Sequence, residues 1–431
     1  MTGRNTIRSF VLAMTSLSFG WMSQARPADS EHATNAQSRC GPDETWDMSM
    51  NMCMPSPNSP HPETVLSGQF NAFGVFSALQ GHRGVDQFAA PNWIMIDAGR
   101  SVGERHFINA DFMGTAELWT YPWHGYPELL QVGEERRDGS SYVDAQHPHS
   151  SPIMGLTISD TITLAHDRSL KLYFAPRGES TDGPVAYLHR ISARDNPDAP
   201  LGHHVAQDAG HISSTVLGVQ WATGKWVYEA SAFNGTEPEP MRVNLPLGPV
   251  DSAAARVTYL VSPEHRVMAS VAQVEQADSA YPGTTSATRL SASVYDHFAP
   301  GGPWHIDHTF IIGSIRRHPD GAALTSFLDE ATFGHGFEEL WGRLEVLERL
   351  SSELELPSAP MATTADDKRW VAALTMGYTH WIPGSHHMDF GIGSSLTADF
   401  IPEPWAMAYG SRVALTMRVI FQVRGVGRWR P

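Results

Sequence analysis

Basic residues, cysteine and long apolar runs are all scarce in this chain of 431 residues. With 46 acidic and 30 basic side chains, the formal net charge is −16, which argues against a nucleic-acid-binding protein. Beyond the N-terminal residues, no stretch is apolar over the roughly 20 residues that a membrane-spanning helix needs. If this protein lies in a membrane, it must therefore cross it as a closed barrel of strands.

The first residues predict export from the cytoplasm. Two arginines precede an apolar run from Phe10 to Met22, and small residues suited to cleavage follow, which is typical of a secretory signal. We expect residues 1–25 to form this signal. The exported chain meets an oxidising compartment, so we expect its two cysteines, Cys40 and Cys53, to form a disulfide.

Residues 26–62 lack periodicity and are rich in polar residues and proline, which predicts a mobile N-terminal segment in the periplasm. Methionine occupies every second position there, at Met48, Met50, Met52 and Met54. Thioether sulfur favours Cu(I), so one hypothesis is a copper-capturing tether. The other is a short disulfide-closed knot in which the methionines cover Trp46.

Residues 63–431 read as a succession of strands, many of which alternate apolar with polar or small residues. Near the C-terminus the polar positions include Arg412, Arg418 and Arg424. Arginines facing the interior of a soluble sandwich would be costly, whereas in a wide barrel they line a wet lumen while the apolar face meets lipid. We therefore predict an all-β fold, a single antiparallel transmembrane β-barrel of about 16 strands, within bounds of about 12 to 18.

The predicted strands begin near residues 64, 91, 105, 151, 168, 211, 225, 252, 265, 284, 304, 321, 335, 368, 386 and 411. The leucines between 340 and 354 fit a helical period about as well, so the thirteenth strand could instead be a loop helix. Even-numbered connections are brief and several odd-numbered ones are long. Because bacterial barrels have short periplasmic turns and longer outer loops, this alternation predicts an outer-membrane protein with its long loops outside the cell.

Tryptophans near the ends of the proposed strands are expected to form interfacial girdles, the alternative being scattered core residues. They are Trp93, Trp119, Trp123, Trp304, Trp370, Trp381 and Trp405.

Histidine is abundant, with 21 residues, and is concentrated in two of the long loops. The candidate metal ligands are His147 and His149 in the second loop and His189, Asp195, His203, His204, Asp208 and His211 in the third. Imidazoles with one or two carboxylates suit Zn²⁺ or Cu²⁺. We expect both groups at the outer rim of the barrel. The alternative is that these side chains only hydrogen-bond the loops into a fixed plug or rim.

Signatures of catalysis are scarce. The chain has no GxSxG elbow, Walker loop or dinucleotide fingerprint. Outer-membrane hydrolases pair a serine with a histidine at the outer rim, and Ser150 or Ser151 beside His149 could mimic that pair. Adjacency in sequence does not establish such a pair, so we expect no enzyme.

The histidine-bearing stretches resemble those of a family of largely uncharacterised outer-membrane barrel proteins, often encoded beside heavy-metal and copper efflux genes. The similar stretches are QHPHS at 146–150, HRISARDNPDAPLGHH at 189–204, HI at 211–212 and FNGTEPEPMR at 233–242. The family versions read QHPHD, HRPSARDNPxAPLxHHxxDxxHI and FNGxEPDExR. Ser150, Ile191 and Pro240 depart from them, which removes two carboxylates as candidate ligands.

The leading functional expectation is a channel or metal-associated barrel with histidine-rich outer loops. Its partners would be outer-membrane lipid and small solutes or metal ions, and the resemblance implies metal resistance together with periplasmic metal-efflux components. The alternatives are a nonspecific small-solute porin with structural histidines and an outer-membrane hydrolase.

Overall fold

The computed structural model describes residues 44–47, 52–55 and 64–429, except for 137, 150–151, 166, 209, 241, 246, 276–283, 320, 322, 357–367 and 385–387. The predicted signal segment lies outside the described residues, as do Cys40, Met48 and Met50. Residues 44–47 and 52–55 pair as antiparallel strands β1 and β2. The disulfide and the copper tether stay predictions.

Within the described residues, sixteen strands close into one antiparallel barrel, as the sequence predicts. The strands are β3 (Thr64–Leu79), β5 (Asn92–Val102), β6 (His106–Gly114), β9 (Ile153–Ala165), β10 (Arg168–Gly178), β11 (Ser213–Thr223), β12 (Trp226–Asn234), β13 (Ser252–Ser262), β14 (His265–Glu275), β15 (Ser286–Gly301), β16 (Trp304–His318), β17 (Ala323–His335), β18 (Glu338–Leu350), β19 (Lys368–Pro383), β20 (Met388–Phe400) and β21 (Val413–Trp429). Each starts within about three residues of its predicted position. Shorter strands β4 (Gln87–Ala89), β7 (Tyr126–Glu135) and β8 (Ser141–Gln146) lie in the connections.

The barrel closes where the last strand meets the first. β21 pairs with β3 in an antiparallel register that runs from Thr416 opposite Leu79 to Trp429 opposite Leu66. The start of β3 and the end of β21 therefore lie at the same rim. The leucine-rich run is strand β18, and the helical alternative for it is wrong.

Alternation along the strands separates two faces. Large apolar side chains are exposed on the outside at Ile94, Ile96, Ile108, Ile158, Leu172, Phe174, Leu217, Val219, Val267, Val271, Leu290, Ile312, Leu340, Leu344, Leu374, Met376, Ile392, Leu396 and Phe421. On β21, Arg418 and Gln422 point the other way and are buried in the lumen. An outward apolar belt around a polar interior is the pattern of an outer-membrane barrel.

The expected tryptophan girdle is only partly correct. Trp119, Trp123, Trp304 and Trp370 are exposed, whereas Trp93, Trp381 and Trp405 are buried. The centre of the Trp381 ring lies 3.5 Å from the guanidinium carbon of Arg424. Trp381 therefore faces the lumen and makes a cation–π contact there. Position near a strand end did not reveal which face of the strand each tryptophan occupies.

Long and short connections alternate as expected, except that 319–322, on the rim of the long connections, is as short as 384–387. The short ones are 103–105, 166–167, 224–225, 263–264, 302–303, 336–337 and 384–387, and they lie at the same rim as the start of β3 and the end of β21. The two longest are 115–152 and 179–212 on the opposite rim. Which rim faces the outside of the cell stays a prediction. Among the described residues, no helix is both long enough and apolar enough to cross a membrane.

Candidate metal centre inside the barrel

The two longest connections fold into the lumen, and we call residues 115–152 and 179–212 together the plug. Connection 179–212 contacts several wall strands. Asp182 pairs with Arg289 of β15 at 2.8 Å, and Asp198 pairs with Arg418 of β21 at 3.1 Å. These strands are far apart around the barrel, so the connection reaches across the lumen.

Buried ion pairs fix the middle of this connection to the wall. Arg190 donates to Glu330 of β17 at 2.7 Å, and Arg343 of β18 donates to the same carboxylate at 2.9 Å. Deeper in the lumen, Arg194 donates to Glu339 at the start of β18 at 2.8 Å. The HRISARDNP stretch therefore supplies the anchors of the plug. Pairing is required because an unpaired buried charge is costly.

Connection 115–152 joins the plug through its own hairpin of β7 and β8. A short helix, α1 (Glu117–Thr120), starts it, and Tyr126 of β7 donates its hydroxyl hydrogen to Asp198 at 2.6 Å. Arg418 donates to the carbonyl oxygen of Pro127 at 3.0 Å, so one wall arginine holds both connections. The hairpin ends in the QHPH stretch, which places His147 and His149 in the interior.

A tight turn positions His203 and His204. The N–H of His203 donates to the carbonyl of Pro200 at 3.0 Å, and the N–H of Val205 donates to that of Gly202 at 2.8 Å. A Cβ at Gly202 would lie 2.3 Å from the amide end of the Gln207 side chain, so a larger residue there would require Gln207 to move. The HHVAQ stretch, His203–Gln207, forms a single π-helical turn in which the N–H of Gln207 donates to the carbonyl of Gly202 at 3.3 Å, and this turn carries two adjacent imidazoles.

Five imidazoles from the two connections meet in the lumen. They are His147, His149, His203, His204 and His211. The ring centroids of His203 and His204 are 4.6 Å apart, those of His203 and His211 are 4.7 Å apart, and His147 and His204 are separated by 5.7 Å. The sequence places these histidines in two loops that lead to neighbouring strands, and the structure brings the two sets together. Their side chains are buried: four of the five are at most 4% exposed, so they lie within the plug and not on its surface.

Hydrogen bonds fix which nitrogen of several rings carries the proton. Nδ1 of His147 lies 3.1 Å from the carbonyl oxygen of Pro148, and Nδ1 of His211 lies 2.7 Å from that of Asp208. A carbonyl oxygen can only accept, so each Nδ1 is the donor and each Nε2 keeps its lone pair. Within the described part of the chain, neither Nε2 has a hydrogen-bond partner.

Among the described residues, three groups of side chains could hold a metal ion, and the donor atoms within each group lie within 4.8 Å of one another. They are His147 with His203 and His204, His203 with Asp208 and His211, and His204 with Glu134 and Glu237. Sequence reasoning missed both glutamates, although Glu237 lies in the FNGTEPEPMR stretch. Histidine density does not point to Glu134, since its role depends on how the β7–β8 hairpin enters the lumen.

Burial keeps most of these imidazoles neutral. It lowers the pKa of His147 to about 3, with His149 adding to the effect. It also lowers the pKa of His203 and of His204 well below the ordinary histidine value. Neutral imidazole is the form that binds a metal, so these rings are ready to coordinate at neutral pH.

His149 differs from its neighbours. Burial disfavours its charged form, but the charge of Glu117 and a hydrogen bond of 2.6 Å from Nδ1 to that carboxylate outweigh burial and raise its pKa. The backbone N–H of His149 donates to the same carboxylate at 2.9 Å. Glu117, which sequence reasoning also missed, therefore holds His149 in place beside the other rings.

Two predicted ligands lie elsewhere. His189 is buried against Trp93 and pairs through Nε2 with Glu179 at 2.9 Å. Asp195 lies 3.6 Å from both Arg194 and Arg424 and belongs to the deeper ion-pair network. We leave both out of the candidate centre. Ser150 and Ser151 lie outside the described residues, so the hydrolase hypothesis stays a prediction.

No protein-family model and no curated protein matches this chain. Among solved structures, the anion-selective porin of Comamonas acidovorans is similar over 85% of this chain and 100% of that chain, with 11% identity and a TM-score of 0.51. This chain has the porin fold. OprB of Pseudomonas putida covers 84% and 94% of the two chains with 8% identity and a TM-score of 0.49. OmpF of Salmonella typhi covers 84% and 98% with 9% identity and a TM-score of 0.48.

In this porin-type barrel the centre is enclosed by the wall strands and by the plug. Ser326 of β17 donates to the carbonyl of Val205 at 2.8 Å, which holds the turn carrying His203 and His204 against the wall. The ligands thus come from loops, but a rigid barrel fixes their positions. Such a nitrogen-rich centre can bind a transition-metal ion.

Proposed function

We propose that this outer-membrane barrel is a plugged channel that binds a transition-metal ion, Cu²⁺ or Zn²⁺, within its lumen. The observation that carries the proposal is the group of neutral, buried imidazoles with free Nε2 lone pairs at His147 and His211. Purely structural histidines would be expected to use both ring nitrogens, because buried polar groups are nearly always hydrogen-bonded. A metal ion accounts for these two nitrogens, which have no hydrogen-bond partner among the described residues.

The hydrogen bonds made by the other ring nitrogen of each histidine support the same conclusion. Metal-binding histidines commonly donate their other N–H to a carbonyl or carboxylate, which fixes the ring and its tautomer. His147 and His211 do this through backbone carbonyls. The resemblance to barrel proteins encoded near metal-efflux genes points in the same direction. The long loops would face outside the cell, and the metal or a small solute would be the cargo.

Metal content of the purified protein tests the proposal. The untagged full-length barrel is extracted in detergent and dialysed, beside each variant, against the same free concentration of Zn²⁺ or Cu²⁺. The parent should retain metal. A fourfold variant with His147→Gln, His203→Gln, His204→Gln and His211→Gln should not. At a free metal concentration about 100 times Kd, binding should stabilise the parent against heat by about 2.7 kcal/mol. The control is His189→Gln, a buried histidine of the same plug outside the centre, which should retain metal.

A parent protein that holds no more metal than the fourfold variant would overturn the proposal. Folding of each variant is checked independently by the heat-dependent migration of the barrel on gels. In that outcome the histidines are packing elements of the plug, and the alternative of a small-solute porin with structural histidines gains support.

A further inference from the structure

His203 belongs to two of the donor sets at once. One set joins it to His147 and His204, and the other joins it to Asp208 and His211. We propose that the plug holds two transition-metal ions side by side, with His203 shared between them. This inference rests on the proposed function, but it goes further because one ion would satisfy only one of the two sets.

The surroundings of His203 support a shared role. Its side chain is fully buried, and within the described residues neither of its ring nitrogens has a hydrogen-bond partner. The Nδ1 atom lies 3.5 Å from an oxygen of Asp208, longer than a hydrogen bond. A neutral imidazole always carries one N–H, so leaving both nitrogens without partners is costly unless ligands take them.

Geometry assigns one nitrogen to each ion. Because Nδ1 faces Asp208, it serves the set with Asp208 and His211, and Nε2 remains for the set with His147 and His204. The rings of His204 and His211 contact His203 at centroid distances of 4.6 and 4.7 Å, so both sets adjoin it. Binding of the second ion would release the ring proton of His203 to solvent.

The two positions have different donors. The first offers three imidazoles, and the second offers two imidazoles and one carboxylate. Nitrogen-rich sets of this kind suit Cu²⁺ and Zn²⁺ better than Mg²⁺ or Ca²⁺, which prefer oxygen. The carboxylate of Asp208 also accepts the backbone N–H of Tyr187 at 3.3 Å, which orients it toward His203.

Counting ions per chain tests this inference. Untagged full-length barrel in detergent is stripped with a chelator and titrated with Zn²⁺, and bound metal is measured by native mass spectrometry. We expect two ions per parent chain, one ion in His211→Gln and one ion in His147→Gln. The isosteric variant Asp208→Asn, which keeps an acceptor for Tyr187, should also lose one ion. His189→Gln should keep two.

Copper gives a second readout. Two Cu²⁺ ions that share an imidazole couple magnetically, so the spin signal of the parent should fall short of its copper content, whereas His211→Gln should show the full signal of one isolated ion. One ion per parent chain, with full signal and no change in His211→Gln, would overturn the shared centre and leave the proposed function intact. Absence of any bound ion would overturn both.

Discussion

A single carboxylate, Glu330, illustrates how individual residues hold the plug. It is 1% exposed and accepts hydrogen bonds from Arg190, Arg343 and the hydroxyl of Ser192, the last at 3.0 Å. Two of these partners belong to the plug and one to the wall. Removing a charge from such a group leaves buried guanidinium groups without a counter-ion, which typically costs about 3–5 kcal/mol.

We predict that Glu330→Gln loosens connection 179–212 while the barrel stays closed. Trypsin should cut after Arg190 or Arg194 much faster than in the parent, and amide hydrogen exchange of this connection should accelerate by the same mechanism. The matched control is Asp329→Asn, one residue away, whose side chain is 54% exposed on the outer face beside His308. Equal cleavage rates in the parent and both variants would show that the ion pairs do not hold the plug.

Among the elements, strand β18 shows how a local pattern can mislead. Its leucines fit a helical period, but Leu340 and Leu344 are exposed on the outer face while Arg343 between them is buried in the lumen. This segment forms a strand because it pairs with β17 on one side and with β19 on the other. A lone segment cannot report these hydrogen bonds, because its partners are remote in sequence.

We predict that Leu344→Arg destabilises the barrel by about 2–4 kcal/mol, the cost of arginine on the lipid face near the bilayer midplane. Leu344 lies at the middle of β18, whereas Leu340 lies near the short-turn rim. Leu340→Arg should therefore cost only about 0–1 kcal/mol. The free energy of unfolding in lipid vesicles measures both. Equal costs at the two positions would contradict the assigned depth of this strand.

For the whole molecule, the plug decides what passes. Connection 179–212 contacts strands from β12 to β18 and then β21 and β3, through partners such as Ser231, Tyr295 and Asn71. A lumen crossed in this way should conduct ions less than an open barrel of the same strand number. The nonspecific porin hypothesis requires enough free space around this connection for solutes to pass.

We predict that replacing residues 186–207 with a short glycine–serine linker raises single-channel conductance in planar bilayers several-fold. The control replaces residues 138–140, at the exposed tip of the β7–β8 hairpin, which should leave conductance unchanged. A parent barrel that already conducts as much as the linker variant would show that the plug does not limit passage.

The sequence by itself determined the barrel. The positions of the sixteen strands follow from a period of two residues, a local property that lipid outside and polar lumen inside impose on every strand, and the lengths of the connections follow from the spacing between the strands. The concentration of histidines in two loops that lead to neighbouring strands also followed from the sequence, which did not establish that His147, His203, His204 and His211 meet in one group.

Only the tertiary structure decided where that group lies and what completes it. Contacts such as Arg190 with Glu330 join residues 140 positions apart and draw the loops into the lumen, so no local pattern could show that the histidines meet and are buried there. The same long-range packing brought in Glu117, Glu134 and Glu237 and set His189 and Asp195 aside. Strand periodicity is written into short stretches of chain, whereas the path of a loop through a barrel depends on partners that only the closed wall brings within reach.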